Sequence, residues 1–264
     1  MKRRTLFALS AAALLALASP IASAASLAEI KAAGKIRIAV VPGVPLFAFV
    51  DQNLKLTGSD IETARLIGEA LGVDVEFVEI ANAARVPTIQ AGTADILVGN
   101  LAITPQRQEV IDFTVPYATL DIIVGAPARY NISDYPDLNG QRVAVTRATV
   151  NDTLITEKSP QAEVVRFEDD ATLITAIASK QLDIVSTQSA VLAAMNEKRP
   201  DDKLDVKFVQ QSLDLGIALP KGQDELREWL NGWLKENFAN GKLPELFKSF
   251  HDRDLPADLT SRVH

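Results

Sequence analysis

The feature that most constrains this chain is an alternation of strand-like and helix-like segments that runs through it twice. In the first series, residues 36–41 alternate and are rich in β-branched side chains, which predicts a strand. Ile61, Ala64, Ile67 and Leu71 follow at helical spacing, behind a cap at Ser59 or Asp60 and ahead of a stop at Gly72. A strand over 73–80, a short helix over 86–91 stopped at Gly92, and a buried strand over 95–99 come next. Thr104-Pro105 then reads as a helix start, because the hydroxyl can cap and proline tolerates the first turn. The second series has strands at 142–146, 164–167 and 182–185. Its helices lie at 149–156 and 171–179, the latter capped by Asp169-Asp170 and carrying Leu173 and Ile177 on one face. Ile89…Asp95-Ile96 and Ile177…Asp183-Ile184 keep the same order of helix, turn, Asp and apolar strand, 88 positions apart. Strands alternating with helices imply parallel sheets, and the doubled series implies an α/β protein of two similar lobes.

The tail does not repeat. Leu226, Trp229, Leu230, Trp233, Leu234 and Phe238 recur at helical spacing and read as a core face, with Gly241 closing that helix and a last one over 243–250. Two helices are too few for a lobe, so the tail must pack on one of the two. The chain then has to cross between lobes twice, and the extended candidates are about 117–124 and 210–217. The expected organisation is lobe 1 at 25–117 plus 216–264, lobe 2 at 122–211, and a two-strand hinge between two open sheets.

Lys2, Arg3 and Arg4 followed by an apolar run to Leu17 and the small residues Ala22-Ser23-Ala24 form a secretory signal peptide over 1–24. Its removal takes away three positive charges and no acid, moving the net charge from −7 to −10. A basic nucleic-acid surface is therefore not expected. The chain has no cysteine, and its two histidines are His251 and His264. Thiol nucleophiles, Cys-ligated zinc, iron–sulfur clusters and an HExxH zinc site are excluded, and no metal or cofactor is called for. The expected product is a periplasmic monomer.

Small ligands favour domain interfaces and the carboxyl ends of strands in open α/β sheets. The loops after the strands therefore carry the candidates: 42–47, 100–107, 147–150 and 186–188. These loops suit an anion. Arg107 falls in a first helical turn, and a guanidinium can grip a carboxylate through two parallel hydrogen bonds. Arg85 and Arg147 add positive charge. The competing reading makes each a surface charge or a partner of Asp112 or Glu109. Thr149 is either a helix cap or a donor to the ligand. No GxSxG, GxxxxGK[ST] or GxGxxG motif is present, and no acidic pair is marked out for catalysis.

Several stretches stand out together: Pro45-Leu46-Phe47, Gly58-Ser59-Asp60-Ile61-Glu62 and Arg85-Val86-Pro87 with Gly92 and Asp95. The most specific are Ile103-Thr104-Pro105-Gln106-Arg107, Asp112-Phe113-Thr114 and Pro116-Tyr117. With these stretches the chain resembles the family 3 extracellular solute-binding proteins, the polar amino-acid receptors of ABC importers. The resemblance spans about 34–250. It implies a two-lobed, hinged binding fold that closes on an amino acid and delivers it to a membrane permease. It makes Arg107 the α-carboxylate partner and Phe47 an aromatic wall, with Asn100, Ala102, Thr149 and their neighbours around the carboxylate. The subgroup for acidic amino acids is similar in having an Arg before Ile/Val-Pro at the spacing of Arg85 from Arg107. Arg85 is thereby the candidate for a second ligand carboxylate.

The sequence departs from the family pattern at Ser59, Ala102, Ala148 and Gln188. Gln188 stands where the acid that receives the α-ammonium is expected, and a neutral amide cannot neutralise a buried cation. Either Asp121 near the hinge substitutes, or the ligand is an ammonium-free organic anion such as a dicarboxylate. Some relatives of this fold are dehydratases acting on prephenate or arogenate, so an enzyme is one further alternative, and a sensory or structural binding module is another.

Overall fold

The computed structural model describes residues 24–264, and the expected signal peptide, save Ala24, lies outside them. The chain opens with α1 (Leu27–Ala33), held by a capping box between Ser26 and Glu29, and enters β1 (Lys35–Val40). A small β2 (Phe49–Val50) and β3 (Leu56–Thr57) ribbon precedes α2 (Ser59–Leu71) and β4 (Asp74–Glu79). Next come α3 (Arg85–Gln90), β5 (Ile96–Leu97), α4 (Pro105–Gln108) and the long β6 (Asp112–Pro127). The second series is β7 (Arg142–Thr146), α5 (Val150–Lys158), β8 (Glu163–Phe167), α6 (Asp170–Ala178), β9 (Ile184–Gln188) and α7 (Ser189–Lys198). The long β10 (Leu204–Leu219) leads back to α8 (Asp224–Ala239) and α9 (Lys242–His251).

Among the described residues the main sheet has eight strands in the order β4-β1-β5-β10-β6-β9-β7-β8. β1 runs parallel to β4 and β5, and β7 runs parallel to β8 and β9. These are the two α/β sets that the alternation implies. A two-strand connection joins them, as expected. β6 and β10, each 16 residues long, pair antiparallel through the middle and join the two sets into one ladder. Register shifts at Val209/Gln211 and Leu215/Gly216 bend this central pair, as extra residues in a ladder do.

Each set has its own core. One cluster gathers Ile36, Ile38, Ile61 and Ile67 with Leu230, Trp233 and Phe247, so the two tail helices cover the first set. The other gathers Leu173, Ile177, Val185, Leu192 and Met195. Leu226, Leu230, Trp233 and Leu234 are buried and Trp229 and Phe238 pack against the same core, so that face of α8 is structural. No helix among the described residues is long and apolar enough to cross a membrane.

Three local readings change. The strand expected at 182–185 runs Ile184–Gln188, because Ser186, Thr187 and Gln188 pair with Val124, Ile123 and Ile122 of β6, and α7 follows directly. The strand expected at 95–99 shortens to Ile96–Leu97. The α2 cap is neither Ser59 nor Asp60 but Gly58, with no side-chain cap bond. The first-turn N–H groups of Ser59 and Asp60 instead donate to the carbonyls of Leu46 and Phe47, both at 2.9 Å. Gly58 permits this approach: its φ is 123°, and a Cβ there would sit 2.3 Å from the Phe47 carbonyl oxygen. Gly58→Ala should therefore cost about 3 kcal/mol through backbone strain and overpacking, read as a lowered midpoint in urea unfolding; an unchanged midpoint would contradict this packing.

Candidate functional site

The carboxyl ends of the parallel strands face a small cleft of about 40 Å3 beside the central antiparallel pair. Leu120, Ile122 and Leu213, from β6 and β10, form its apolar floor. Its polar lining comes from both strand sets: Asn82, Arg85, Asn100 and Arg107 from the first, Thr146, Thr149, Asp170, Thr187 and Gln188 from the second.

Two guanidiniums dominate it. Arg85 opens α3 and is buried; its Nε donates to the Asn82 carbonyl (3.0 Å) and its Nη1 to the Asn100 carbonyl (2.8 Å). Arg107 lies in the short α4, where the Thr104 hydroxyl accepts the Arg107 N–H as a cap (3.3 Å), and its Nη1 donates to the Ala102 carbonyl (2.8 Å). Backbone carbonyls thus aim both side chains, and among the described residues neither guanidinium forms an ion pair. Burial pulls the Arg85 pKa down to about 9, with repulsion from Arg107 adding to it, and burial alone pulls Arg107 to about 10. Both results describe positive charge drawn out of water; Asp170 and Asp60 attract Arg85 and oppose the fall without forming an ion pair with it.

Beneath the cleft, buried Asp60 accepts a hydrogen bond from the Tyr117 hydroxyl (2.7 Å). Burial raises its pKa to about 7 against the opposing pull of Tyr117 and Arg85. Across the cleft, Asn100 takes a left-handed conformation (φ 51°) and its Nδ2 donates to Gln188 Oε1 (3.2 Å). Ala148 is also left-handed (φ 58°), which gives a physical reason for a glycine preference there. Thr149 caps α5, accepting from the Asp152 N–H (3.3 Å) while its hydroxyl donates to the Thr146 carbonyl (2.6 Å). It also lines the cleft, so the cap and the ligand-facing positions coincide.

The structure brings Arg85, Asn100, Ala102, Arg107, Thr149 and Gln188 to one cleft. Two expected residues go elsewhere. Arg147 is half exposed and pairs with Glu168 (2.9 Å), whose position just past β8 puts a carboxylate within its reach. Phe47 is buried in a neighbouring chamber of about 230 Å3, packed edge-on against His251, with ring centroids 4.5 Å apart. Leu120 and Gln188 are shared between the two spaces, so Phe47 stands behind the cleft rather than in it. Asp121 lines that second chamber and accepts a hydrogen bond from Ser212 (2.5 Å). Sequence reasoning missed Asp170. Asp169 is the α6 cap, accepting from the Thr172 N–H (2.7 Å), which leaves Asp170 to turn inward, where it accepts from the Thr146 hydroxyl.

Comparisons with known proteins agree on a family. The family model described as bacterial extracellular solute-binding proteins, family 3, matches residues 36–253. The ABC transporter glutamine-binding protein GlnH of Bacillus subtilis (strain 168) is 29% identical over 239 residues, covering 88% of this chain and 86% of its own. The crystal structure of the P235GK mutant of ArgBP from T. maritima superposes with a TM-score of 0.80 at 28% identity, covering 86% of this chain and 99% of that one. The crystal structure of the ancestral amino acid-binding protein AncCDT-1, described as a precursor of cyclohexadienyl dehydratase, superposes with a TM-score of 0.77 at 30% identity. It covers 85% of this chain and 98% of its own.

Two outcomes follow from this geometry. Arg147→Ala should leave small-anion affinity within about twofold in calorimetry, because its partner is an exposed surface carboxylate; a large loss would return Arg147 to the cleft. Asp60 ordinarily titrates at 3.8 and in the fold at about 7. The folded protein therefore keeps a proton that the unfolded chain gives up, and stability falls as pH rises between those values. Asp60→Asn should flatten that fall, read from urea midpoints at pH 5 and pH 7.5.

Proposed function

The chain belongs to the bacterial extracellular solute-binding proteins of family 3, and from that premise we propose that it is the receptor of an ABC importer, closing on a small acidic amino acid and delivering it to the membrane permease. One observation carries the reading. Two guanidiniums, Arg85 buried and Arg107 half-buried, both held on backbone carbonyls and without ion-pair partners among the described residues, face one small cleft. A buried cation without an anion is costly, and a ligand carboxylate at each removes that cost at the moment of binding. Arg107 takes the α-carboxylate and Arg85 the second. The moving halves are 25–117 plus 216–264 and 122–211, with β6 and β10 as the hinge. Ligand contacts to both halves favour the closed state. The protein works outside the cytoplasmic membrane after losing residues 1–24.

A second reading has its own support. Gln188, at the family's ammonium position, is engaged by Asn100, which favours an organic anion lacking an ammonium. A dehydratase would need a positioned proton donor. Asp170 is the carboxyl in the cleft lining; it accepts from the Thr146 hydroxyl, and burial raises its pKa against the opposing pull of Thr146 and Arg85, so it is the group there that could hold such a proton.

A thermal-shift screen of amino acids, dicarboxylates and other anions tests the proposal, since a ligand of the folded form raises the melting temperature with concentration. L-Glutamate and L-aspartate should shift the melt. Arg107→Ala should stay folded and weaken their binding by about 2–5 kcal/mol. Parental affinity for small anions in that variant would contradict the assignment.

A further inference from the structure

We propose that Asp170 is the ligand's ammonium acceptor, standing in for the acid that Gln188 replaces, and that it makes the cleft select acidic amino acids over dicarboxylates of the same length. The inference rests on the receptor reading above and sharpens it. Its basis is the charge inventory of the cleft. Of the side chains that line it, three are charged: Arg85, Arg107 and Asp170. The first two belong to α3 and α4 of the first strand set, the third to the first turn of α6 in the second.

A ligand that leaves no buried charge unmatched must present two negative groups and one positive group. An acidic amino acid at neutral pH does so. A dicarboxylate would bring two carboxylates into the cleft with Asp170 and make them compete with it for Arg85, the cation that already attracts it. A neutral amino acid would leave one guanidinium bare. A basic amino acid would add a cation where two already stand.

Asp170 is suited to the task. It is buried, one of its oxygens is fixed by the Thr146 hydroxyl, and among the described residues it forms no ion pair. Its position at the start of α6 adds the favourable field of a helix N-terminus to its negative charge. Gln188 cannot take the role, because its amide is neutral and its oxygen already accepts from Asn100. Asp121 faces the neighbouring chamber instead. The arrangement also divides the ligand between the halves, with carboxylates on one and ammonium on the other.

Calorimetry on the mature protein tests this with L-glutamate and L-aspartate against glutarate and succinate, which lack only the ammonium. The parent should bind each amino acid more tightly than its desamino partner. Asp170→Asn, which keeps the shape and the Thr146 contact, should weaken the amino acids about 30-fold or more while leaving glutarate and succinate unchanged or tighter. Equal effects on both classes, or none on either, would overturn the role of Asp170 and leave the receptor reading in place. A parent that binds glutarate as tightly as L-glutamate would overturn it without recourse to any variant. Failure of all four compounds to bind the parent would overturn the receptor reading and the inference together.

Discussion

Positive charge drawn largely out of water, with no ion-pair partner among the described residues, is the constraint around which the cleft is arranged. Arg85 and Arg107 each spend part of their hydrogen-bonding capacity on main-chain carbonyls, at Asn82, Asn100 and Ala102. Carbonyls orient a guanidinium but do not neutralise it. The segment between β5 and α4 supplies both Asn100 and Ala102, so one short stretch of backbone aims both arginines. That stretch is pinned in turn. The Ile103 N–H donates to the Asp214 carbonyl and the Gly216 N–H to the Leu101 carbonyl, which tie it to β10. β10 and the loop that carries Asn100 and Ala102 are therefore joined by main-chain hydrogen bonds.

The internal repeat has a consequence at the cleft. The offset relating Asp95-Ile96 to Asp183-Ile184 also relates Asn100 to Gln188, and these two side chains meet across the gap. Corresponding strand ends of the two sets thus face each other, which is what two similar α/β units joined by a shared central pair must produce. Their contact is neutral and modest, so it aligns the two sides without competing strongly with a charged ligand.

Much of the architecture was legible because its signals are local. Period-2 and period-3.6 patterns marked β1, α2, β4, β7, β8 and α8, and Gly72 and Thr104 marked boundaries that the structure keeps. What escaped depends on partners distant in sequence. Ser186-Thr187-Gln188 reads as a loop until β6 is beside it. Phe47 reads as a cleft wall until His251, at the far end of the chain, claims its ring. Arg147 reads as a ligand group until β8 brings Glu168 alongside. Asp170 is the plainest case. Two adjacent aspartates before a helix offer the same cap, and only the fold decides that Asp169 takes it and Asp170 turns inward.

The most direct measurement is a crystal structure of the mature protein grown with L-glutamate. The account predicts ligand in the cleft over Leu120 and Leu213, with one carboxylate on the Arg107 guanidinium and the other on Arg85. Ligand density elsewhere, or a cleft in which either guanidinium is paired with a carboxylate of the protein itself, would contradict it.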